Sequence, residues 1–175
     1  MRRFEMRPII SIVGKANSGK TTLLEKLITE LKQRGYSVAV VKHASEDVVE
    51  LDKKGKDSWR FSQAGSDTVA ISSPHQLAVF RKVEHNLSPQ EISHSLGGEY
   101  DIILTEGFKQ SNTYKIEVHH KDQGKDLVSN PEQLLAVVTD EPLEMDMLQF
   151  AQEDVGKITD LIESKVLMHF TEGKW

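Results

Sequence analysis

The sequence contains no cysteine. This absence excludes a disulfide framework, a cysteine-ligated zinc site and thiol chemistry. The chain also lacks a long apolar run near its N-terminus, because the basic residues 1–8 lead into only the short segment Ile9–Val13. That segment is too short for the hydrophobic region of a signal peptide or for a membrane span. We therefore expect a cytoplasmic protein with no membrane partner.

An excess of positive charge is absent as well. Lys and Arg number 22 against 27 Asp and Glu, so the formal net charge is −5. Nucleic-acid-binding proteins usually show a basic balance, and we expect no nucleic-acid partner. The sequence shows no internal repeat, no low-complexity segment and no linker. With 175 residues and 38% hydrophobic content, it predicts one domain, residues 1–175, large enough for a real core.

What the sequence does contain is a glycine-bearing motif directly after Ile9–Val13. Residues Gly14–Thr21, GKANSGKT, match the P-loop or Walker A pattern G-x-x-x-x-G-K-T. Glycines let backbone N–H groups approach phosphate oxygens, and the helix that begins near Gly19 turns its positive end to the same anion. Lys20 would reach the β- and γ-phosphates, and the Thr21 hydroxyl would ligate Mg²⁺. The motif indicates a nucleoside triphosphate or a polyphosphate, but neither the base nor the reaction. The predicted nucleotide-contacting residues of this loop are Gly14, Lys15, Ala16, Asn17, Ser18, Gly19, Lys20, Thr21 and Thr22.

Hydrophobic periodicity predicts alternating strands and helices. A helix from Ser18 or Gly19 to about Arg34 carries one apolar stripe, and Ser37–Val41 follows as an apolar strand. This strand–helix–strand unit implies parallel strands joined by a right-handed crossover. Further strands are predicted at Thr68–Ser72, Gln76–Lys82, Tyr100–Thr105, Lys115–His119 and Leu134–Thr139, and helices are predicted from a capping box at Ser88–Glu91 and over Asp154–Met168. The fold class is therefore α/β, a three-layer P-loop NTPase domain with a mostly parallel β-sheet flanked by helices.

The alternation in Lys115–His119 carries its own prediction. Ile116 and Val118 alternate there with polar residues. An alternating strand usually buries one face and exposes the other. We expect the polar face of this strand to be solvated.

Glu106 directly follows a predicted buried strand, at the edge of the sheet where ligands bind. A carboxylate there can hold Mg²⁺, directly or through water, or orient an attacking water beside a phosphate loop. The alternative is a solvated residue at a strand end. Asp101, at the opposite end of the same strand, is the weaker candidate. The catalytic residues are predicted to be Lys20 and Glu106, and the metal ligands Thr21, Asp52 and Glu106.

The polar segment from Lys42 to Ser62 is long for a loop in a compact domain, and such loops are usually functional or flexible. It begins at the carboxyl end of the second strand, beside the predicted nucleotide site. Asp52 is the candidate for a water-mediated Mg²⁺ contact, and the lysines for contacts with an anionic substrate. The alternative is a solvated charged loop, and His43 is either a structural residue or a substrate contact. The candidate substrate contacts are His43, Lys53, Lys54, Lys56 and Lys109.

Asp140 follows the predicted strand Leu134–Thr139. Guanine-specific P-loop proteins use an Asp at a comparable place, because two carboxylate oxygens match two adjacent donors of guanine. The alternative is an ordinary Asp after a strand. Six further histidines show no zinc-site spacing, and we interpret them as surface or structural residues, so no metal beyond Mg²⁺ is predicted. They are His75, His85, His94, His119, His120 and His169.

Taken together, these motifs resemble the molybdopterin-guanine dinucleotide biosynthesis protein B family (MobB) over about residues 8–142. The segments that carry the resemblance are Gly14–Thr21, Lys42-His43, Asp52–Ser58 with Ala64-Gly65, Glu106–Lys109, Lys115–Val118 and Val138–Glu141. The resemblance implies a homodimeric GTP-binding protein with weak Mg²⁺-dependent GTPase activity. It would assist the partner nucleotidyltransferase that attaches GMP to molybdopterin.

The resemblance also carries Lys20 and Thr21 over as phosphate and Mg²⁺ residues, and Glu106 as the Walker B-like acid. One departure is Ala44–Asp47, where many relatives have a second histidine. The region beyond Pro142 has no motif to carry over.

Two alternatives come from other functional classes. The first is a P-loop small-molecule kinase, which normally closes an arginine-bearing lid over the transferring phosphate. After Arg34 the sequence has only Arg60 and Arg81, and neither lies in an arginine-rich stretch. The second is a scaffold that binds the nucleotide without hydrolysing it.

Overall fold

The computed structural model describes residues 7–44, 52–97, 100–124 and 126–168. The chain divides into two compact units, the first made of Met1–His43 with Ser88–Trp175 and the second of Ala44–Leu87. The strands in chain order are β1 (Ile9–Val13), β2 (Val38–Lys42), β3 (Thr68–Ser72), β4 (Leu77–Arg81), β5 (Ile102–Glu106), β6 (Tyr114–His119), β7 (Leu134–Thr139) and β8 (Gln149–Phe150). The α-helices are α1 (Lys20–Gln33), α2 (Asp57–Gln63), α3 (Pro89–Leu96) and α4 (Val155–Ile162).

The first unit is built on a six-stranded sheet with the order β2-β5-β1-β6-β7-β8. Every neighbouring pair in it is parallel. All residues of β1 are buried, as expected for the central strand of a parallel sheet covered on both faces. The predicted mostly parallel α/β sheet flanked by helices is confirmed.

The main core lies between the sheet and the helices α1 and α4. Helix α1 buries four leucines, and α4 buries Ile158 and Ile162 in the same cluster. Each fully buried leucine or isoleucine side chain contributes about 1.5–3 kcal/mol through its removal from water. Arg34, at the C-terminal end of α1, forms ion pairs with Glu30, Asp160 and Glu163 and so joins this end to the C-terminal helix.

Helix α3 begins as the sequence predicts. The Ser88 hydroxyl accepts a hydrogen bond from the Glu91 N–H, and the Glu91 carboxylate accepts one from the Ser88 N–H at 2.8 Å. Pro89 occupies the first turn, where its missing N–H costs nothing. The C-terminal helix α4 continues as a π-helical turn over Glu163–Leu167. None of the helices in the described ranges is long and apolar enough to span a membrane.

The polar face predicted for β6 is not solvated, and that prediction is wrong. Lys115, Glu117 and His119 are only 0%, 1% and 4% exposed. The Glu117 carboxylate accepts hydrogen bonds from the N–H groups of Val128 and Ser129, and His119 Nε2 lies 2.7 Å from the Gly124 carbonyl oxygen. Residues 124 and 126–133 supply the partners of Glu117 and His119, whereas Ser111, Thr113 and Gln133 supply those of Lys115.

The second unit contains α2 and the antiparallel hairpin β3–β4, in which Thr68 pairs with Arg81. The hairpin follows the predicted strands, but α2 lies where the sequence indicated only a polar segment. None of the α2 residues is buried, so the helix has no apolar stripe for a sequence pattern to detect. The stretch 45–51, which includes most of the departure at Ala44–Asp47, lies outside the described residues. The single domain predicted for residues 1–175 stays a prediction.

Candidate functional site

The phosphate loop connects β1 to α1 at the carboxyl edge of the sheet. Gly14, Asn17 and Gly19 all have positive φ values, at 144°, 58° and 90°. A Cβ atom on Gly14 would lie 2.3 Å from the Val118 carbonyl oxygen, closer than any real contact. The loop is therefore seated against β6 at a position that only glycine fits.

Two predicted site residues meet directly across the sheet. Glu106, the last residue of β5, is the register partner of Ile12 in β1. Its carboxylate accepts a hydrogen bond from the Thr21 hydroxyl at 2.9 Å. The side chains predicted to share Mg²⁺ are thus adjacent, although they are far apart in the sequence.

Lys20 stands among other charged groups. Its ammonium donates a hydrogen bond to the Lys15 carbonyl at 2.6 Å. Burial lowers the pKa of Lys20; the negative charge of Glu106 opposes this effect, and the positive charges of Lys109 and Lys42 add to it. Like-charged side chains held together in this way attract a polyanion, because an anion relieves their mutual repulsion.

Lys42 belongs to this cluster but was not a predicted site residue. It is the register partner of Glu106, at the end of the neighbouring strand β2. The sequence signal that could have identified Lys42 is its position at the end of a strand, directly before the predicted site residue His43. Lys20 therefore lies within electrostatic range of one carboxylate, Glu106, and of two further cations, Lys42 and Lys109.

The chemistry of these groups fits Mg²⁺. This ion prefers oxygen ligands, keeps several waters, and usually takes only one or two carboxylates plus phosphate oxygens. The Thr21 hydroxyl and the Glu106 carboxylate provide such a partial shell. No group of three or more His, Asp or Glu suited to a metal occurs among the described residues. This arrangement is suited to a metal that arrives with a phosphate.

His43 packs beside the end of β5. Its N–H donates to the Glu106 carbonyl at 3.0 Å, and its ring lies 4.8 Å from the ring of Phe108. A Cβ on Gly107 would come within 3.0 Å of the His43 Cβ. These contacts support the structural alternative for His43, and its role as a substrate contact stays a prediction.

A cavity of 270 Å³ opens at the ends of β6 and β7, and Ser18 of the phosphate loop forms part of its wall. Asp140 lines this cavity. Its carboxylate accepts a hydrogen bond from the Lys121 N–H at 3.0 Å and lies 3.3 Å from His120 Nε2. The buried Ser18 Oγ and His119 Nδ1 have no hydrogen-bond partner within the described parts of the chain. The wall of the cavity is part polar and part apolar, and the cavity adjoins the phosphate loop.

Sequence reasoning missed two residues that touch the phosphate loop. The Gln123 side-chain amide donates to the Ala16 carbonyl at 2.8 Å, and the Gln123 backbone carbonyl accepts a hydrogen bond from the Lys15 ammonium. Gln152, in the region after Pro142, lies 3.3 Å from the Gly19 carbonyl. No local pattern marks either glutamine, because each reaches the loop only through the fold.

Four predicted residues, Asp52, Lys53, Lys54 and Lys56, belong to the second unit. The Asp52 carboxylate accepts hydrogen bonds from the Ser58 hydroxyl and the Lys53 N–H, both at 2.7 Å. The bond from Ser58 and then that from Lys53 hold the pKa of Asp52 below its ordinary value. Within its unit Asp52 thus orders the turn before α2, and its Mg²⁺ role and the substrate roles of the lysines stay predictions.

Comparison with known proteins identifies the family of this fold and site. The family model described as "Molybdopterin guanine dinucleotide synthesis protein B" matches residues 9–140, a stretch that includes the phosphate loop, Glu106 and Asp140. The chain belongs to the MobB family. The molybdopterin-guanine dinucleotide biosynthesis adapter protein of Haemophilus influenzae is a MobB relative 38% identical over 164 residues, covering 93% of this chain and 91% of the relative. The adapter protein of Escherichia coli is 31% identical over 166 residues, covering 90% and 92%.

Solved MobB structures share the fold. A crystal structure of molybdopterin-guanine biosynthesis protein B matches with a TM-score of 0.68 and 32% identity, covering 89% of this chain and 98% of that one. The crystal structure of Bacillus subtilis MobB matches with a TM-score of 0.72 and 25% identity, covering 91% and 98%. These MobB structures have the P-loop NTPase fold that the sequence predicts.

Proposed function

We propose that this chain binds GTP with Mg²⁺ at Gly14–Thr21 and Glu106, hydrolyses it slowly, and thereby assists a partner nucleotidyltransferase that attaches GMP to molybdopterin. As a MobB family member, the chain takes the role of an adapter in molybdopterin guanine dinucleotide biosynthesis. The working form is a homodimer, as the resemblance to the family implies.

The observation that carries this proposal is the Thr21–Glu106 contact within the lysine cluster. A hydroxyl and a carboxylate 2.9 Å apart supply two ligands for the Mg²⁺ that accompanies a nucleoside triphosphate. Lys20, Lys42 and Lys109 balance the negative charge of the phosphates. Together they support binding of a Mg²⁺–triphosphate complex rather than of a lone metal or a lone anion.

Slow hydrolysis follows from the residues around the phosphates. Efficient P-loop hydrolysis needs an arginine that stabilises the charge of the transition state. In the described part of the first unit, Arg7 precedes β1, at the opposite end of that strand from the phosphate loop, and Arg34 is engaged by three carboxylates at the far end of α1. Unassisted P-loop GTPases turn over at roughly 10⁻⁴ s⁻¹. We expect a comparable rate here, with a partner protein completing the site.

Guanine recognition rests on Asp140. Its carboxylate is at the cavity beside the phosphate loop, where the base of a bound nucleotide would lie. The Asp140 carboxylate has to release His120 before it can contact guanine, because His120 Nε2 lies 3.3 Å from Asp140 Oδ2. Two acceptor oxygens suit the paired donors of guanine, and adenine lacks that pair.

Titration calorimetry of Lys20→Ala with Mg²⁺ and GTP tests the phosphate site. We expect Kd to rise about 10- to 100-fold, because a charge-assisted hydrogen bond contributes about 1.5–3 kcal/mol. Lys26→Ala is the matched control on the same helix, since Lys26 is partly exposed and pairs with Glu153. Equal affinity of wild type and Lys20→Ala would refute the phosphate site, and equal affinity for ATP and GTP would refute guanine recognition.

The adapter role needs a separate readout. Purified nucleotidyltransferase, molybdopterin and GTP are combined with and without this chain, and the guanine dinucleotide product is measured. We expect the wild-type chain to raise the yield of the dinucleotide. With Lys20→Ala the yield should equal that of the reaction without this chain. No effect of the wild-type chain would refute the adapter role while leaving nucleotide binding intact.

A further inference from the structure

Lys115 is a fully buried lysine whose hydrogen-bond acceptors are all uncharged. It lies in β6 with 0% exposure. Its ammonium donates to the Ser111 carbonyl and the Gln133 side-chain oxygen, both at 2.5 Å, and to the Thr113 carbonyl at 3.3 Å. A buried charge is costly unless its geometry is well satisfied, and here neutral oxygens occupy all three donors.

Two of these acceptors belong to the turn between β5 and β6, residues 107–113, which we call the β5–β6 turn. It begins directly after Glu106 and carries Lys109, so it includes part of the lysine cluster at the phosphate loop. Its backbone has unusual geometry, because Gly107 and the non-glycine Phe108 have φ values of 99° and 56°. A non-glycine residue in the left-handed region is strained and persists only when its surroundings hold it there.

A chain of hydroxyl groups continues from Lys115 into the turn. The Ser111 hydroxyl donates to the Phe108 carbonyl at 2.7 Å and lies 2.9 Å from the Thr113 hydroxyl. The Thr113 hydroxyl lies 2.7 Å from that of Ser11 in β1, which accepts from Thr105 in β5. The ammonium and the hydroxyl chain therefore hold the turn against both strands that flank the nucleotide site.

We propose that Lys115 is a positioning residue for the metal side of the nucleotide site. It acts through Ser111 and the β5–β6 turn to hold Glu106 and Lys109 toward the phosphate loop. This inference rests on the proposed function, because the geometry it maintains is that of the Mg²⁺ and phosphate contacts. Burial lowers the pKa of Lys115, because the site disfavours the charged form.

The neighbouring residue Glu117 offers a matched control. It lies two residues along the same strand, on the same face, and is 1% exposed. Its carboxylate binds the N–H groups of Val128 and Ser129, outside the β5–β6 turn. Glu117→Gln and Lys115→Met thus both remove a buried charge from β6, but only Lys115→Met releases the turn.

The test compares GTP affinity with Mg²⁺ and with EDTA for wild type, Lys115→Met, Ser111→Ala and Glu117→Gln. For Lys115→Met we expect Mg²⁺-dependent affinity to fall about 10- to 100-fold, the usual effect of removing a partner that orients a metal ligand. The affinity measured in EDTA should fall by a smaller factor, because it does not depend on the placement of Glu106 and loses only the contribution of Lys109. Ser111→Ala should shift affinity in the same direction by a smaller factor, and Glu117→Gln should leave the Mg²⁺-dependent increment unchanged. If Lys115→Met does not fold, Ser111→Ala still tests the inference, because it loosens the same turn without removing the buried lysine.

Hydrogen exchange of the β5–β6 turn gives a readout that needs no nucleotide. Lys115→Met and Ser111→Ala should speed exchange of the Gly107 and Ser111 N–H groups, whose acceptors are the Ile12 and Phe108 carbonyls. Glu117→Gln should leave the exchange of these two N–H groups unchanged. Equal loss of Mg²⁺-dependent affinity in Lys115→Met and Glu117→Gln, or unchanged exchange in the turn, would overturn the inference. Failure of wild type to bind Mg²⁺ and GTP would instead refute the proposed function, and the exchange data would still show whether Lys115 holds the turn.

Discussion

Gly14 shows how one residue without a side chain decides whether the phosphate loop can form. Two demands meet there, a φ value of 144° and a close approach to the Val118 carbonyl. Gly35, after α1, also has a positive φ, of 92°, but open space where a Cβ would lie. A substitution at Gly35 therefore tests backbone strain alone, whereas a substitution at Gly14 adds a steric overlap with β6.

Gly14→Ala should abolish GTP binding measured by calorimetry, because the added Cβ would overlap β6 and displace the loop. Gly35→Ala should cost about 1–2 kcal/mol of unfolding free energy in denaturant titrations, since alanine is strained at positive φ. It should leave nucleotide affinity unchanged. A Gly14→Ala protein that binds GTP like wild type would show that the loop does not need this close approach.

Single residues also show how far the site was readable from the sequence. Lys20, Thr21 and Glu106 were predictable because each belongs to a local pattern, a glycine motif or an acid at the end of an apolar strand. Lys42 was adjacent to a predicted residue, yet only its register with Glu106 places it in the lysine cluster. Gln123 and Gln152 reach the phosphate loop from distant segments, and no spacing rule connects them to it.

At the scale of elements, Asp101 joins the starts of β2 and β5. The Ser37 N–H and hydroxyl both donate to its carboxylate at 2.7 Å. These bonds, first from the N–H and then from the hydroxyl, lower the pKa of Asp101 below its ordinary 3.8. Asp101 is thus a structural acid at the edge of the sheet opposite the nucleotide site, in keeping with its weaker standing as a metal ligand.

The pH dependence of this contact has a definite sign. An acid with a lowered pKa stabilises the fold above its unfolded pKa, and the contribution is lost as the pH falls through the folded value. Asp101→Asn should therefore lower the unfolding free energy at pH 7 by about 1 kcal/mol, with a smaller difference at pH 3. Urea titrations at both pH values measure this. In a Ser37→Ala background, the difference between the Asp101→Asn effects at pH 7 and pH 3 should shrink. An equal effect of Asp101→Asn on the unfolding free energy at both pH values would contradict the structural role of Asp101.

Elements differ in how well the sequence predicted them, for identifiable reasons. Helix α3 was predictable from Ser88–Glu91 because its cap is local chemistry, and β7 because it is a short apolar run. Helix α2 was missed because it buries no residue and has no stripe. The polar face of β6 was predicted to be solvated because the pattern shows which residues alternate but not what covers them. The segments that supply their partners, residues 111–113, 124 and 126–133, have no periodicity of their own.

At the scale of the whole molecule, ligand binding and stability are linked. A ligand that binds only the folded state adds about 2.7 kcal/mol at a concentration of 100 Kd. For a chain of this size, that corresponds to a rise of about 5–10 °C in the unfolding midpoint. Mg²⁺ with GTP should produce this rise in thermal unfolding followed by circular dichroism.

Two comparisons make this thermal test specific. Lys20→Ala at the same GTP concentration should show little shift, and wild type with ATP should shift less than with GTP. Equal shifts with both nucleotides would mean that stabilisation comes from the phosphates alone. No shift with either nucleotide would argue against binding to the folded state.

The strand order has a consequence for how the molecule is made. Strand β1 pairs with β5 and β6, with Ile9 opposite Ile103 and Ile10 opposite Tyr114, while β5 also separates β1 from β2. The phosphate loop is therefore synthesised well before Glu106 and before its supporting strand β6. Until then β1 and the leucine face of α1 have no sheet to pack against, and such nascent apolar surfaces depend on protection from aggregation. We expect a nascent chain to acquire nucleotide binding only after β6 has emerged.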